Sequence, residues 1–268
     1  MTETLFVTGS GTDIGKTLVT AALAHQARQS GRKVAVLKPV ASGYSWDTAA
    51  QSDAGVILQA LGEEITPENI ERVSPWRYRQ PVSPDFAARQ EGWSVSAAQI
   101  AAFCRGGERD ADTVIVEGVG GIMAPINERQ TFLDVLPDLP YPALVVVGTY
   151  LGALSHAFTC VETIRGRGHR VAGIVVSESE TGGQPVAEIA KSLATFLPDL
   201  PVVMLPRLNG PAHGPPPRCS HNFLWKSHHL VWRKMPLTRY SVFVAAETAF
   251  WREDKAHVLD RRAHREPS

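Results

Sequence analysis

Cysteine is scarce. The 268 residues hold three, Cys104, Cys160 and Cys219, and no C-x-x-C pair. That excludes a disulfide framework and a cysteine-built zinc site, and it fits a reducing compartment. Long apolar runs are missing too. None approaches the ~18 residues of a membrane-spanning helix, and the opening MTETLFV has neither the basic start nor the apolar stretch of a secretory signal. Net charge is absent: 27 Lys and Arg balance 27 Asp and Glu, so nothing in the total draws the chain to nucleic acid or to an anionic membrane. The expectation is a soluble cytoplasmic protein. No internal repeat is present.

What the chain does have is a rhythm. Short apolar runs recur: TLFVT, KVAVLKP, TVIVEG, ALVVVG, VAGIVVS and PVVMLP. They are continuous rather than alternating, as in strands buried on both faces. Helix-like stretches lie between them, at 15–29, 52–62, 94–105, 155–168 and 184–197. Alternation from about residue 4 to 206 predicts an α/β fold, a parallel β-sheet covered by helices on both faces. The rhythm breaks at NGPAHGPPPRC. Residues 211–268 carry ten Lys and Arg against five Asp and Glu, with six of the nine histidines. The expected organisation is therefore a domain over 1–210 and a basic tail over 211–268. The abrupt change of composition favours a reading-frame shift over a lineage extension or a partner-binding arm, and predicts poor packing there.

The segment FVTGSGTDIGKT at 6–17 carries the most chemistry. As a dinucleotide loop it fails: its glycines are spaced G-x-G-x-x-x-G, and the next strand ends in Lys38, which cannot accept a ribose hydroxyl's hydrogen bond. As a phosphate loop it departs from G-x-x-x-x-G-K-[ST] by having Ser10 between Gly9 and Gly11. The physical requirements are still met. A strand delivers a small-residue loop, and a helix leaves it, so free N–H groups and the helix dipole can hold phosphate. Lys16 then reaches the β/γ-phosphates and Thr17 offers a hydroxyl to Mg²⁺. Glu117 ends the run TVIVE, where a carboxylate can bind Mg²⁺ directly or through water. The glycines after it, Gly118 and Gly120, permit close backbone approach. Lys38 precedes Pro39, so the chain leaves its strand extended. Two lysines aimed at one point suit a phosphoryl group meeting a carboxylate-like nucleophile.

Together FVTGSGTDIGKT, VLKPVASG, SDAGVIL, VEGVGG and VVVGTYLGALSHAF resemble the dethiobiotin synthetase family over about 3–210. The resemblance implies a homodimeric ligase that uses ATP and Mg²⁺ to close a cyclic urea from 7,8-diaminononanoate and CO₂. It assigns Asp13, Ile14, Gly15, Lys16 and Thr17 to the phosphate loop, and Lys16 and Lys38 to catalysis. Ser42 falls to the substrate, and Thr17, Asp53 and Glu117 to the metal. Pro206, Arg207 and Leu208 begin like the family's nucleotide-contacting segment. Three positions depart from the pattern: Ser177 stands where the family reads adenine with Asn, Tyr150 replaces a frequent Lys, and Asp85 a frequent His. Rival readings are a glutamine-dependent C–N ligase, which lacks its nucleophilic Cys here; a dimeric ATPase switch, whose extra loop lysine would stand at Gly11; and a nucleotide-binding paralogue without turnover.

Overall fold

The computed structural model describes residues 2–180 and 183–207. The expected tail over 211–268, and Leu208 with it, lies outside the described residues. In chain order the elements are β1 Glu3–Gly9, α1 Lys16–Gln29, β2 Val34–Leu37, β3 Val40–Ser42, a 3₁₀ segment Trp46–Gln51, α2 Asp53–Leu61, α3 Pro67–Val73, β4 Trp76–Tyr78, α4 Pro84–Gln90, α5 Ala97–Gly106, β5 Thr113–Glu117, a second 3₁₀ segment Phe132–Asp138, β6 Ala143–Val147, α6 Ala153–Gly166, β7 Val171–Ser177, α7 Val186–Phe196 and β8 Val202–Leu205. The main sheet has six parallel strands in the order β2-β5-β1-β6-β7-β8.

Every residue of β5, β6 and β7 is buried. Successive side chains of one strand enter different cores because a strand's side chains alternate in direction. Phe6, Val116, Val145 and Val176 join the cluster that contains α5 and α6 residues such as Ile100 and Val161. Val7, Ile115, Val146 and Val175 join the cluster of Val19, Ile57 and Leu58 from α1 and α2. Two-sided burial is thus the physical reason that the apolar runs are unbroken. Phe6 and Phe132 stack at 5.6 Å between centroids and anchor the first of these cores.

Two features go beyond the expectation. The segment that leaves Lys38 is extended, as expected, and is a strand, β3, which pairs in parallel with β4 in a separate two-stranded sheet. Two short helices, α3 and α4, each begin with Pro at their first position, where its missing N–H costs nothing. Three-residue strands and seven-residue helices are too short to leave a period. The tryptophans also divide. Trp76 packs edge-on against Phe103 at 5.7 Å, whereas Trp46 and Trp93 are more than half exposed and are not core residues.

Helix α2 explains the SDAG motif. Ser52 caps it, its hydroxyl accepting from the Gly55 amide at 3.1 Å. Gly55 faces the preceding 3₁₀ segment so closely that an added Cβ would stand 2.0 Å from the Ala49 carbonyl oxygen. Only glycine fits without moving that backbone. The substitution Gly55→Ala is expected to cost about 1–3 kcal/mol, as overpacking does, and to move the start of α2. A urea midpoint equal to that of wild type would contradict it.

Candidate functional site

The C-terminal ends of β1, β2 and β5 converge on one point. After β1 the chain turns through Ser10–Gly15 into α1. Asp13 and Gly15 have φ of 55° and 88°, and alternating left-handed residues point successive N–H groups inward. Gly15 is the N-cap of α1 and supplies no side-chain cap, so the first amides of a 14-residue helix stay available to an anion. The loop is braced from the β5 side, where the Ile122 amide donates to the Gly9 carbonyl at 3.2 Å and the Gly118 amide to Val7 at 2.9 Å.

Lys16 is buried, and its Nζ donates to the Gly11 carbonyl at 2.7 Å. Burial lowers its pKa to about 8, with the charge of Lys38 as the second cause; Glu117, Asp53 and Asp13 pull the other way. Lys16 and Lys38 are thus close enough for the charge of one to lower the pKa of the other.

Strand register puts Lys38 where it is. Leu37 of β2 lies beside Val116 of β5, so the next residues, Lys38 and Glu117, stand side by side at the sheet's edge. The Lys38 amide donates to Val73 at 2.9 Å, fixing the backbone. Its Nζ lies 2.7 Å from Glu117 Oε1, 2.9 Å from Asp53 Oδ2 and 2.9 Å from the Gly118 carbonyl oxygen. Burial opposes this charge, but the Glu117 and Asp53 carboxylates outweigh it and hold the ammonium above the ordinary lysine range. Asp53 is the first residue of α2, where a carboxylate also meets the helix dipole. Burial works against its charge, and Lys38 overcomes that to hold its pKa below the usual value.

The Thr17 hydroxyl lies 2.8 Å from both Asp53 Oδ1 and Glu117 Oε1. It has one proton, so it donates to one carboxylate at a time. Glu117 Oε2 is buried with no protein partner. Two carboxylates, one of them with an orphaned buried oxygen, and a hydroxyl form an all-oxygen set that suits a hard divalent cation. Among the described residues no group of three or more His, Cys, Asp and Glu gathers. A cation here would therefore complete its shell with water and phosphate oxygens, as Mg²⁺ habitually does.

These shifts fix a pH dependence. A carboxyl whose pKa is depressed on folding adds stability above its unfolded value, 3.8 for Asp53, and loses it as the pH falls through the lower folded value. A lysine whose pKa is raised adds stability below its unfolded value of 10.5 and loses it as the pH climbs through the folded one. The cluster is at full strength between these limits. The stability difference between wild type and Asp53→Asn should therefore be flat above about pH 5 and shrink below 3.8. Urea denaturation across pH 2.5–7 checks this, and a difference that widens in acid contradicts it.

A family model described as an AAA domain matches residues 3–204. The ATP-dependent dethiobiotin synthetase of Methylobacterium nodulans is 42% identical over 198 residues, spanning 72% of this chain and 88% of that protein. That of Phenylobacterium zucineum is 40% identical over 210 residues, spanning 77% and 89%. The chain belongs to the dethiobiotin synthetase family. Among solved structures, a ParA family ATPase from Chlorobium tepidum is similar over 78% of this chain and 86% of that one, at 13% identity and a TM-score of 0.47.

The remaining positions that the resemblance to dethiobiotin synthetases marks are more dispersed. Asp13 and Ile14 are in the loop, Ile14 buried and Asp13 exposed. Gly120 lies beside the loop, where an added Cβ would be 3.6 Å from Thr12 Oγ1. Ser42 ends β3 opposite Tyr78 and is half-buried. Pro206 and Arg207 follow β8, the sheet's edge, with β6 and β7 between them and the phosphate loop. The Arg207 amide donates to Glu178 at 2.8 Å and its guanidinium pairs with Glu180 at 3.0 Å. Ser177 ends β7 over the phosphate loop, its Oγ 2.6 Å from where a Cβ on Gly15 would stand. Asp85 sits in the first turn of α4 and accepts from the Ser83 hydroxyl.

Two arrangements were not legible in the sequence. One is the Lys38 ion pair with both carboxylates, whose only signal is that Lys38 and Glu117 each end an apolar run. The other is the 2.9 Å hydrogen bond between the Tyr150 hydroxyl and His156 Nδ1. It sets His156 at the exposed start of α6, bonded to a side chain rather than packed in a core.

Proposed function

We propose that this chain carboxylates 7,8-diaminononanoate with CO₂ and closes the ureido ring at the expense of ATP, with Mg²⁺ as cofactor. The observation that carries the residue roles is the cluster of buried Lys38 and Glu117 with Asp53 and Thr17, beside Lys16 at the mouth of the phosphate loop.

The chemistry runs in three steps. One amine of the substrate attacks CO₂, forms a C–N bond and loses a proton, giving a carbamate. A carbamate oxygen attacks the γ-phosphorus as the bond to ADP breaks. The second amine attacks the carbamoyl carbon, loses a proton and expels inorganic phosphate. In the phosphoryl step the loop amides and Lys16 hold the phosphate oxygens. Lys38 offsets the negative charge that collects between carbamate and phosphoryl group. Thr17, Asp53 and Glu117 would hold Mg²⁺, which supplies neutralising charge to the phosphates. Ser42, at the end of β3, offers a hydroxyl on the Lys38 side, and we assign it to the substrate. Pro206 and Arg207 follow β8, beyond β7 from the phosphate loop, and we assign them to the nucleoside end of the nucleotide.

We also propose a cytoplasmic homodimer. The resemblance supports the dimer, and light scattering would test it. Among the described residues no helix is long and apolar enough to cross a membrane.

Incubating the purified chain with the diamine, bicarbonate and MgATP tests the reading. One cyclic urea per ADP is expected. ADP release without the ring would instead mark an ATPase, and neither product would mark a nucleotide-binding paralogue.

A further inference from the structure

We propose that the Lys38 ammonium and the divalent cation are alternative occupants of one carboxylate pair, so that loading the metal ejects Lys38 toward the substrate. The inference rests on the reading that Thr17, Asp53 and Glu117 hold the metal.

The geometry points to exchange rather than coexistence. Glu117 is fully buried, and a buried carboxylate requires a counter-charge. Lys38 supplies it, with Nζ within 2.7–2.9 Å of Glu117 Oε1, Asp53 Oδ2 and the Gly118 carbonyl oxygen. An ammonium has three protons, and these three acceptors use them all. Lys38 is therefore saturated by the same carboxylates that Thr17 touches at 2.8 Å. A dication bound to Thr17, Asp53 and Glu117 would sit within a few ångströms of that ammonium, against the fully buried Glu117, where two cations repel. Glu117 Oε1 and the Asp53 carboxylate can serve one cation well or two badly. With its amide fixed to Val73, Lys38 can leave only by rotating its side chain. The consequence is an order of events: Lys38 becomes free to meet a carbamate only when the metal that accompanies ATP has taken over its carboxylates. That would disfavour a lysine-promoted reaction before the nucleotide is in place.

The test is Mn²⁺ binding to the full chain without nucleotide, followed by electron paramagnetic resonance. A resident competitor weakens apparent affinity by the fraction of time it holds the site. Lys38→Met should therefore bind Mn²⁺ about tenfold or more tightly than wild type, although the same variant loses turnover. Equal or weaker binding overturns the exchange and would mean that the ion uses Glu117 Oε2 with Lys38 in place. Because Lys38→Met leaves a buried carboxylate and can impair folding, wild type provides a second readout. Its Lys38 ammonium, held by three acceptors, should give a slowly exchanging ¹⁵N resonance that broadens as Mg²⁺ is added. A sharp, unmoved resonance at saturating Mg²⁺ overturns the proposal. If Glu117→Gln binds Mn²⁺ as tightly as wild type, the metal assignment itself fails, and the exchange with it.

Discussion

Replacing Lys38 by Met should lower kcat by about 10²–10³-fold, the loss of about 2.7–4 kcal/mol seen when one preorganised electrostatic group is removed. ATP affinity should change far less, because the loop amides and Lys16 hold the phosphates, whereas Lys38 in the nucleotide-free chain contacts Glu117, Asp53 and the Gly118 carbonyl. The two lysines separate here. Lys16 belongs to the loop and bonds the Gly11 carbonyl, so its loss should weaken nucleotide binding as well as turnover. Single-turnover kinetics with radiolabelled ATP distinguish the cases. A Lys38→Met enzyme that keeps its kcat but binds ATP poorly would move Lys38 out of the chemical step and into the nucleotide site.

Glu117→Gln is the second large effect. The amide keeps the shape and removes the charge at the one position where three interactions meet: the Lys38 ion pair, the Thr17 hydroxyl contact and the orphaned Oε2. Removing one partner of a buried pair costs about 3–5 kcal/mol. Asp53, 2.9 Å from the same Nζ, still offers a counter-charge, so the lower end of that range is expected. For a domain of this size that lowers Tm by roughly 6–12 °C. Metal affinity should fall by at least about tenfold, and higher Mg²⁺ should restore part of the lost turnover. A variant as stable as wild type that shows the same Mg²⁺ dependence would contradict both roles of Glu117.

Much of this was legible from residue order, for identifiable physical reasons. Strands buried on both faces need unbroken apolar runs, so β1, β5, β6 and β7 stand out. Helix α1 announces itself through Gly15 at the N-cap and the alanines that pack its inner face. Lys16, Thr17 and Glu117 are readable because each closes a strand or opens a helix at the ligand-binding edge. Other features are set by tertiary contact and leave little local trace. Strand β3 is three residues long and gains its identity only from β4, some 35 residues later. That Lys38 reaches Asp53 depends on where α2 begins. This in turn depends on the Ser52 cap and on the fit of Gly55 against the Ala49 carbonyl, a packing detail that no periodicity records. The Tyr150–His156 bond needs a loop conformation that sequence spacing does not fix.

In the proposed reaction a carbamate oxygen, held between Lys16, Lys38 and the metal carboxylates, takes the γ-phosphoryl group. An oxygen atom traces this directly. When the ring closes, the phosphate that leaves carries away the carbamate oxygen that attacked phosphorus. In a single turnover with freshly dissolved C¹⁸O₂ and unlabelled water, mass spectrometry of the released phosphate should find one ¹⁸O per molecule. Cyclic urea formed together with phosphate that contains no ¹⁸O would contradict the account.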